Sequence, residues 1–292
     1  MRQVARQSLR AALFGAAAMA LVMGASHHAS AQSIQPNDLV PAPDGTNAAL
    51  GYYLYNHYDS DHTPSGKVSE SLNTNLFIER YVHWTYLGDV PAGFQVLALN
   101  GWNTGTIGGA KADSGGELEA ILSAFAWPGA NTATKTYPFV GFYVYPPINS
   151  AGYGSNSWSG ALQLGIDKGF GDHLSFDFTE YTTFYGESTS GSVRTTTDPS
   201  YTLQFWANWN WTPQFQTAIG WQSNFGGEGT SVNALTGAGT INPSSQREEI
   251  RGWISYFFTP ALQGGLEVNH DFVDVNGGKN EIGMLARILY VF

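Results

Sequence analysis

The sequence predicts an all-β fold, an antiparallel transmembrane β-barrel of about twelve strands, from three observations. Apolar and polar residues alternate with a period of two in many segments. Short and long connections alternate along the chain. The long apolar run is confined to an N-terminal leader, and no later segment offers about 18 uninterrupted apolar residues.

The leader comes first. Arg2, Arg6 and Arg10 give a positive start, Ala11 to Ala25 an apolar run, and Ala29-Ser30-Ala31 a small-residue cleavage site before Gln32. That order is the pattern of a secretory signal peptide over residues 1–31, with an apolar run too short for a retained spanning helix. Loss of those arginines leaves 10 of the 13 basic residues against 23 acidic ones, so the remaining chain of about 260 residues carries about −13. Such a charge argues against nucleic acid as a partner. With no cysteine, disulfides, thiolate metal sites and a cysteine nucleophile are excluded. Aromatic residues make up 14% and charged residues only 12%, against about 25% charged in soluble domains, which suits a surface facing lipid.

Alternation is clearest from Tyr201 to Trp211. Tyr201, Leu203, Phe205, Ala207, Trp209 and Trp211 fall on one face, with Thr202, Gln204, Trp206, Asn208 and Asn210 on the other. Past Thr212-Pro213 the pattern resumes with Phe215, Ile219, Trp221 and Phe225, and a second such hairpin turns at Thr259-Pro260. A strand between lipid and a wet lumen requires this division. Extended along the chain, the reading places strands at 46–59, 71–87, 93–104, 116–127, 135–146, 157–168, 173–187, 199–211, 214–225, 246–258, 261–273 and 279–292. Glu117 to Trp127 also fits an amphipathic helix.

Connections after the even-numbered strands are tight: Gly88–Ala92, Gly129–Thr134, Gly169–Asp172, Thr212-Pro213 and Thr259-Pro260. Those after odd-numbered strands are longer and rich in Gly, Ser, Thr and Asn, Gly226 to Ser245 being the longest, although Val275–Gly278 is short. Short periplasmic turns and long outer loops are the topology of bacterial barrels. Tyr201 and Trp211 would lie roughly 25 Å apart along the membrane normal, the height of the apolar band. Trp84, Tyr86, Phe215, Phe258 and Tyr290 are expected in a periplasmic girdle, with Trp102, Trp221 and Phe272 nearer the outer one.

The chain stops at Phe292 after Tyr290, Ile288, Ala286 and Met284 at alternate positions. This resembles the terminal signal read by the outer-membrane assembly machinery, which makes Tyr290 and Phe292 the expected insertion signal. Outer-membrane lipid, lipopolysaccharide and the barrel assembly machinery are then the expected partners, with a small-molecule solute.

A family resemblance follows from particular runs. Asp38-Leu39-Val40-Pro41-Ala42-Pro43-Asp44-Gly45-Thr46-Asn47 leads into Gly51-Tyr52-Tyr53-Leu54-Tyr55; Tyr81-Val82-His83-Trp84-Thr85-Tyr86-Leu87-Gly88 and Gly115-Gly116-Glu117-Leu118 follow. Together these resemble the phenol meta-pathway (MetA-pathway of phenol degradation) outer-membrane family. Glu117 replaces a Gly-Asp step, and Pro146-Pro147 replaces a Pro-Thr-Gly turn. The resemblance implies a transporter of small organic molecules, hydrophobic or aromatic, in the bacterial outer membrane.

Twelve strands lie between filled eight-stranded barrels and open porins, so a narrow lumen is expected. Parity assigns Glu79, Asp177, Glu249, Arg251, Glu267, Asp271, Glu281 and Arg287 to its lining, where they would form either a charged constriction or a structural ladder. Inward aromatics Tyr53, Phe77, Trp206 and Trp253 would offer a stacking path or simply fill space. Residues 32–45 form a short periplasmic segment ahead of the barrel at 46–292. It is too short for a plug domain, and the choice is between an untethered tail and a gate tucked into the mouth.

A barrel lipid hydrolase needs a Ser or Thr within reach of a His. His57, His62, His83, His173 and His270 are available, with His270 placed on the lipid face, but no Gly-x-Ser-x-Gly elbow accompanies them. The loop acids Asp59 and Asp61 are weak metal ligands, and Gly226-Gly227-Glu228-Gly229 lacks a following Gly-Lys-Ser/Thr. No catalytic residue, cofactor or metal is expected, and a structural or adhesive surface role is the remaining alternative.

Overall fold

The computed structural model describes residues 33–64, 66–148 and 157–292; the expected signal peptide lies outside them. Twelve strands close into one antiparallel ring: β1 (Asn47–Thr63), β2 (Gly66–Leu87), β3 (Val90–Ile107), β4 (Ser114–Ala126), β5 (Thr136–Tyr145) and β6 (Ser159–Phe170), then β7 (Leu174–Tyr185), β8 (Ser200–Asn210), β9 (Phe215–Gly226), β10 (Ser245–Thr259), β11 (Leu262–Val275) and β12 (Gly278–Val291). Each strand pairs with its neighbours in sequence, and β1 pairs with both β2 and β12. At the closing seam Asn47 and Phe292 exchange main-chain hydrogen bonds of 3.0 and 2.9 Å. Closure removes both sheet edges, the condition for spanning lipid with strands. The segment from Glu117 is strand, paired to β3, and not helix.

Local chemistry sets the turns at the end carrying Asn47 and Phe292, the periplasmic end by the barrel rule. Thr212 Oγ1 accepts from the N–H groups of Gln214 and Phe215, and Thr259 Oγ1 accepts from those of Ala261 and Leu262. Both Thr-Pro pairs therefore satisfy the turn backbone with one hydroxyl. Gly88 takes φ +63° in the two-residue turn after Leu87, a conformation glycine adopts without strain. Beside these turns, a hydrogen bond from Lys135 holds the Asp172 carboxyl below the usual carboxylate range.

Differences from the expected boundaries gather at the opposite, outer end. The first loop is not a long irregular one, because the β1–β2 ladder continues to Thr63 opposite Gly66. The long segment after β9 is not unstructured either. Its strands Gly229–Asn233 and Gly239–Asn242 join Ser188–Ser190 and Val193–Thr197 in a separate four-stranded sheet. Above the bilayer, water no longer demands closure, but backbone groups still pair wherever Thr- and Ser-rich chain permits.

The lipid side is a continuous apolar belt. Ile166, Phe178, Phe205, Trp221 and Ile250 stand in register across β6 to β10, and Phe178 and Phe205 are 44% and 37% exposed. Trp84 departs from its expected girdle position. It shares the inward parity of buried Val82, while His83 and Phe94 pack together outside.

The inner surface has two unlike halves. On β1 to β5 the buried side chains include Leu50, Tyr52, Ile78, Leu99, Ile121 and Tyr143. On β6 to β12 they include Gln163, Asp177, Gln204, Arg251, Glu267 and Arg287.

Candidate functional site in the lumen

The segment before β1 lies inside the barrel. Ile34, Gln35 and Leu39 are buried, and two turns compact the run: Asp38 N–H donates to Gln35 O at 3.0 Å, and Val40 N–H to Asn37 O at 3.1 Å. Asn37 supplies the left-handed residue these turns need, at φ +66°, a conformation asparagine tolerates better than most side chains. The untethered-tail expectation is thereby corrected. The tail reading took shortness as lack of anchorage, whereas Ser33, Ile34, Asn37, Asp38 and Leu39 all bond to groups on the wall.

Those anchors sit on opposite walls. Toward β7 to β9, Ile34 N–H donates to Gln204 Oε1 at 3.1 Å, Trp206 Nε1 donates to Ile34 O at 3.1 Å, and Asn37 N–H donates to Asp177 Oδ2 at 3.0 Å. Toward β2 and β12, Asp38 pairs with Arg80 Nη1 at 3.2 Å and Arg287 Nη1 at 2.9 Å. Between them Trp127 Nε1 donates to Leu39 O at 2.6 Å. Leu39 reaches the wall at Gly165, where an added Cβ would stand 3.1 Å from its Cδ1. A chain bonded to both sides of a ring crosses the lumen at that level.

A Trp–Gly–Arg arrangement occurs twice in the polar wall. Trp206, Gly220 and Arg251 share one inward row on β8, β9 and β10; the indole covers Gly220, and the Arg251 guanidinium stacks on it 4.7 Å from the ring centroid. Trp253 covers Gly265 in the same way, beside Arg287 stacked at 4.7 Å. Only glycine leaves room for an indole to lie flat against the next strand.

Charge is then completed in pairs. Arg251 grips Glu267 through Nε and Nη2, both at 2.8 Å, and reaches Gln222 Oε1 at 3.2 Å. Nearer the outer end, Arg247 lies 3.7 Å from Glu249 and 3.8 Å from Asp271, and Asp271 Oδ2 also accepts from Asn280 N–H at 2.8 Å. Buried charges hold only when paired in this manner.

Of the residues assigned to the lumen, Asp177, Trp206, Glu249, Arg251, Trp253, Glu267, Asp271 and Arg287 are buried inside the ring. Glu79 is not. It is exposed on the outer face between Phe77 and Tyr81, and its neighbour Arg80 points inward. Tyr53 and Phe77 share that outer face, at 42% and 41% exposed. The cause is one error of parity: β1 and β2 carry apolar residues on both faces, so alternation does not distinguish them. Glu281 is also exposed, because the β1–β12 register shifts between His57 and Tyr58 and a bulge there reverses parity. Alternation puts Gln204 and Gln222 on the polar face without assigning them a role, and it gives no signal for Asp38, Arg80 or Trp127 in the site. Arg80 could have been found by requiring the inward face to include buried Ile78 and Val82.

The outward placement of His270 holds. Its Nδ1 lies 2.6 Å from the main-chain oxygen of Glu281. Among the described residues, no group of three or more His, Asp or Glu side chains could hold a metal ion.

A family model described as "Putative MetA-pathway of phenol degradation" matches residues 47–281. No curated protein matches the chain. Among solved structures, the COG4313 outer membrane channel from Pseudomonas putida F1 is 24% identical, with a TM-score of 0.81 over 89% of this chain and 100% of that one. The transport unit of the autotransporter AIDA-I from Escherichia coli is 12% identical, with a TM-score of 0.57 over 95% and 98%. Both likenesses are of fold, that of outer-membrane barrels.

Proposed function

The chain belongs to the MetA-pathway of phenol degradation family, and from that premise we propose that it is an outer-membrane channel for passive uptake of small aromatic molecules. One observation carries the reading: the buried side chains are mostly apolar on β1 to β5, with Gln95, Glu119 and Ser123 among them, and mostly polar on β6 to β12, where Tyr181, Trp206 and Trp253 add aromatic faces. A ring bearing a hydroxyl or carboxyl group finds a partner for each of its halves there, whereas a sugar leaves the apolar half unmatched. The fold's similarity to an outer membrane channel supports the same reading.

In this reading residues 33–44 hold the closed state, and permeation requires their departure from the ring. Tyr290 and Phe292, stacked with ring centroids 5.7 Å apart beside the closing seam, serve as the insertion signal. No catalytic step is assigned to the lumen.

Liposomes containing the purified protein should take up 4-hydroxybenzyl alcohol faster than a pentose of similar mass, and protein lacking residues 33–44 should widen the difference. Equal uptake of both solutes by both proteins would refute the aromatic channel.

A further inference from the structure

We propose that the Arg80–Arg287 pair is a binding site for the carboxylate of a small aromatic acid, and that Asp38 occupies it in the closed channel. This rests on the channel reading and adds a ligand class and a means of release.

The first argument is charge. Two guanidiniums share one carboxylate, Asp38, and among the described residues neither has another carboxylate within 4.0 Å. Their remaining partners are neutral: Gln95 Oε1 at 2.7 Å and Tyr52 OH at 3.1 Å for Arg80, and Gln263 Oε1 at 2.7 Å for Arg287. The cluster therefore keeps a net positive charge in a partly buried place, with Arg287 itself buried. Arg287 Nε is buried with no hydrogen-bond partner, so a donor is also left over.

The second argument is shape. Asp38 and Leu39 present a carboxylate next to an apolar group, and Leu39 is buried between Trp127 and Gly165. An aromatic acid has the same pairing of parts, and Trp253, already stacked under Arg287, lends an aromatic face.

The third argument is mechanical. Asp38 sits on the closing segment and not on the wall, so a competing carboxylate detaches the only ion pairs that the described part of the segment makes. The rest of its anchorage is hydrogen bonds, mostly to neutral groups. A ligand that binds the free arginine pair shifts the segment's equilibrium toward release by its preference for that state.

The test uses the purified full chain in planar bilayers, with sodium benzoate as probe and sodium acetate and benzyl alcohol as controls. Millimolar benzoate should raise open probability at least severalfold, with little effect from either control. Asp38→Asn should be open without benzoate and, by calorimetry, bind it at least tenfold tighter than the native chain. Asp38→Asn combined with Arg287→Gln should lose that binding. Heat-modified electrophoretic mobility establishes that each variant is folded. If the native protein conducts but benzoate does no more than the controls, and Asp38→Asn binds it no tighter, the proposal is overturned and the channel reading stands. If Asp38→Asn binds benzoate while no variant conducts, the site is supported and the channel reading fails. Should neither binding nor conduction occur, both fall.

Discussion

The inner walls of β1 to β5 and of β6 to β12 face the same lumen, yet they are held by different physics. The first wall is mostly apolar: Ile78, Leu99 and Ile121 are 3%, 3% and 1% exposed, and each gains free energy in proportion to its buried apolar area. The second wall is a network in which Arg251, Glu267, Gln222 and Gln204 satisfy one another. Dispersion and burial tolerate small shifts, since a neighbouring side chain partly fills a gap. A buried ion pair does not, because removal of one member leaves a full charge without compensation. The closing segment joins the two regimes, with Leu39 in the apolar regime and Asp38 in the ionic one.

The comparison breaks first at its ionic wall. Glu267→Leu alone should destabilise the barrel by about 3 kcal/mol, as judged by denaturant unfolding in detergent, because buried Arg251 loses its bidentate partner and keeps only Glu249, at 3.3 Å. The double change Glu267→Leu with Arg251→Met should recover most of that loss, and failure to recover would place the stability elsewhere than in the pair. In the apolar wall, Leu99→Ala should cost about 2–4 kcal/mol by the same measurement, with no partner able to rescue it.

Gly220→Val probes the join. An added Cβ at Gly220 would stand 2.5 Å from the Trp206 ring, so the indole must move and its hydrogen bond to Ile34 O is lost. Overpacking of this kind costs about 1–3 kcal/mol, and single-channel recording should show longer open times. The outer face gives the smallest effect and the opposite sign. Glu79→Leu removes a carboxylate from the lipid side and should stabilise the folded barrel by about 1 kcal/mol. A loss of stability instead would return Glu79 to the lumen.

Much of this molecule is legible in its sequence, and the particulars show why. Gln204, Trp206 and Asn208 alternate with Tyr201, Phe205 and Trp209, and the structure separates them as that rhythm requires. Thr212-Pro213 and Thr259-Pro260 mark turns because the hydroxyl that satisfies the turn lies within three residues of the N–H groups it accepts from. Local rules of that kind failed at β2, where Phe77 and Ile78 are both apolar and only contact with the rest of the ring separates their faces. They failed again at Glu281, where a bulge formed with a strand more than 200 residues earlier resets the parity.

Sequence alone determined the strand count, the periplasmic turns and the polar rows of β7 to β11, since each depends on chain within a few residues of itself. Tertiary structure decided the fate of residues 33–44 and the partnership of Asp38 with Arg80 and Arg287, 42 and 249 residues away. A carboxylate has no local preference for one arginine over another. Ring closure brings β2 and β12 to either side of β1, so two distant guanidiniums converge on Asp38, which the segment holds between them.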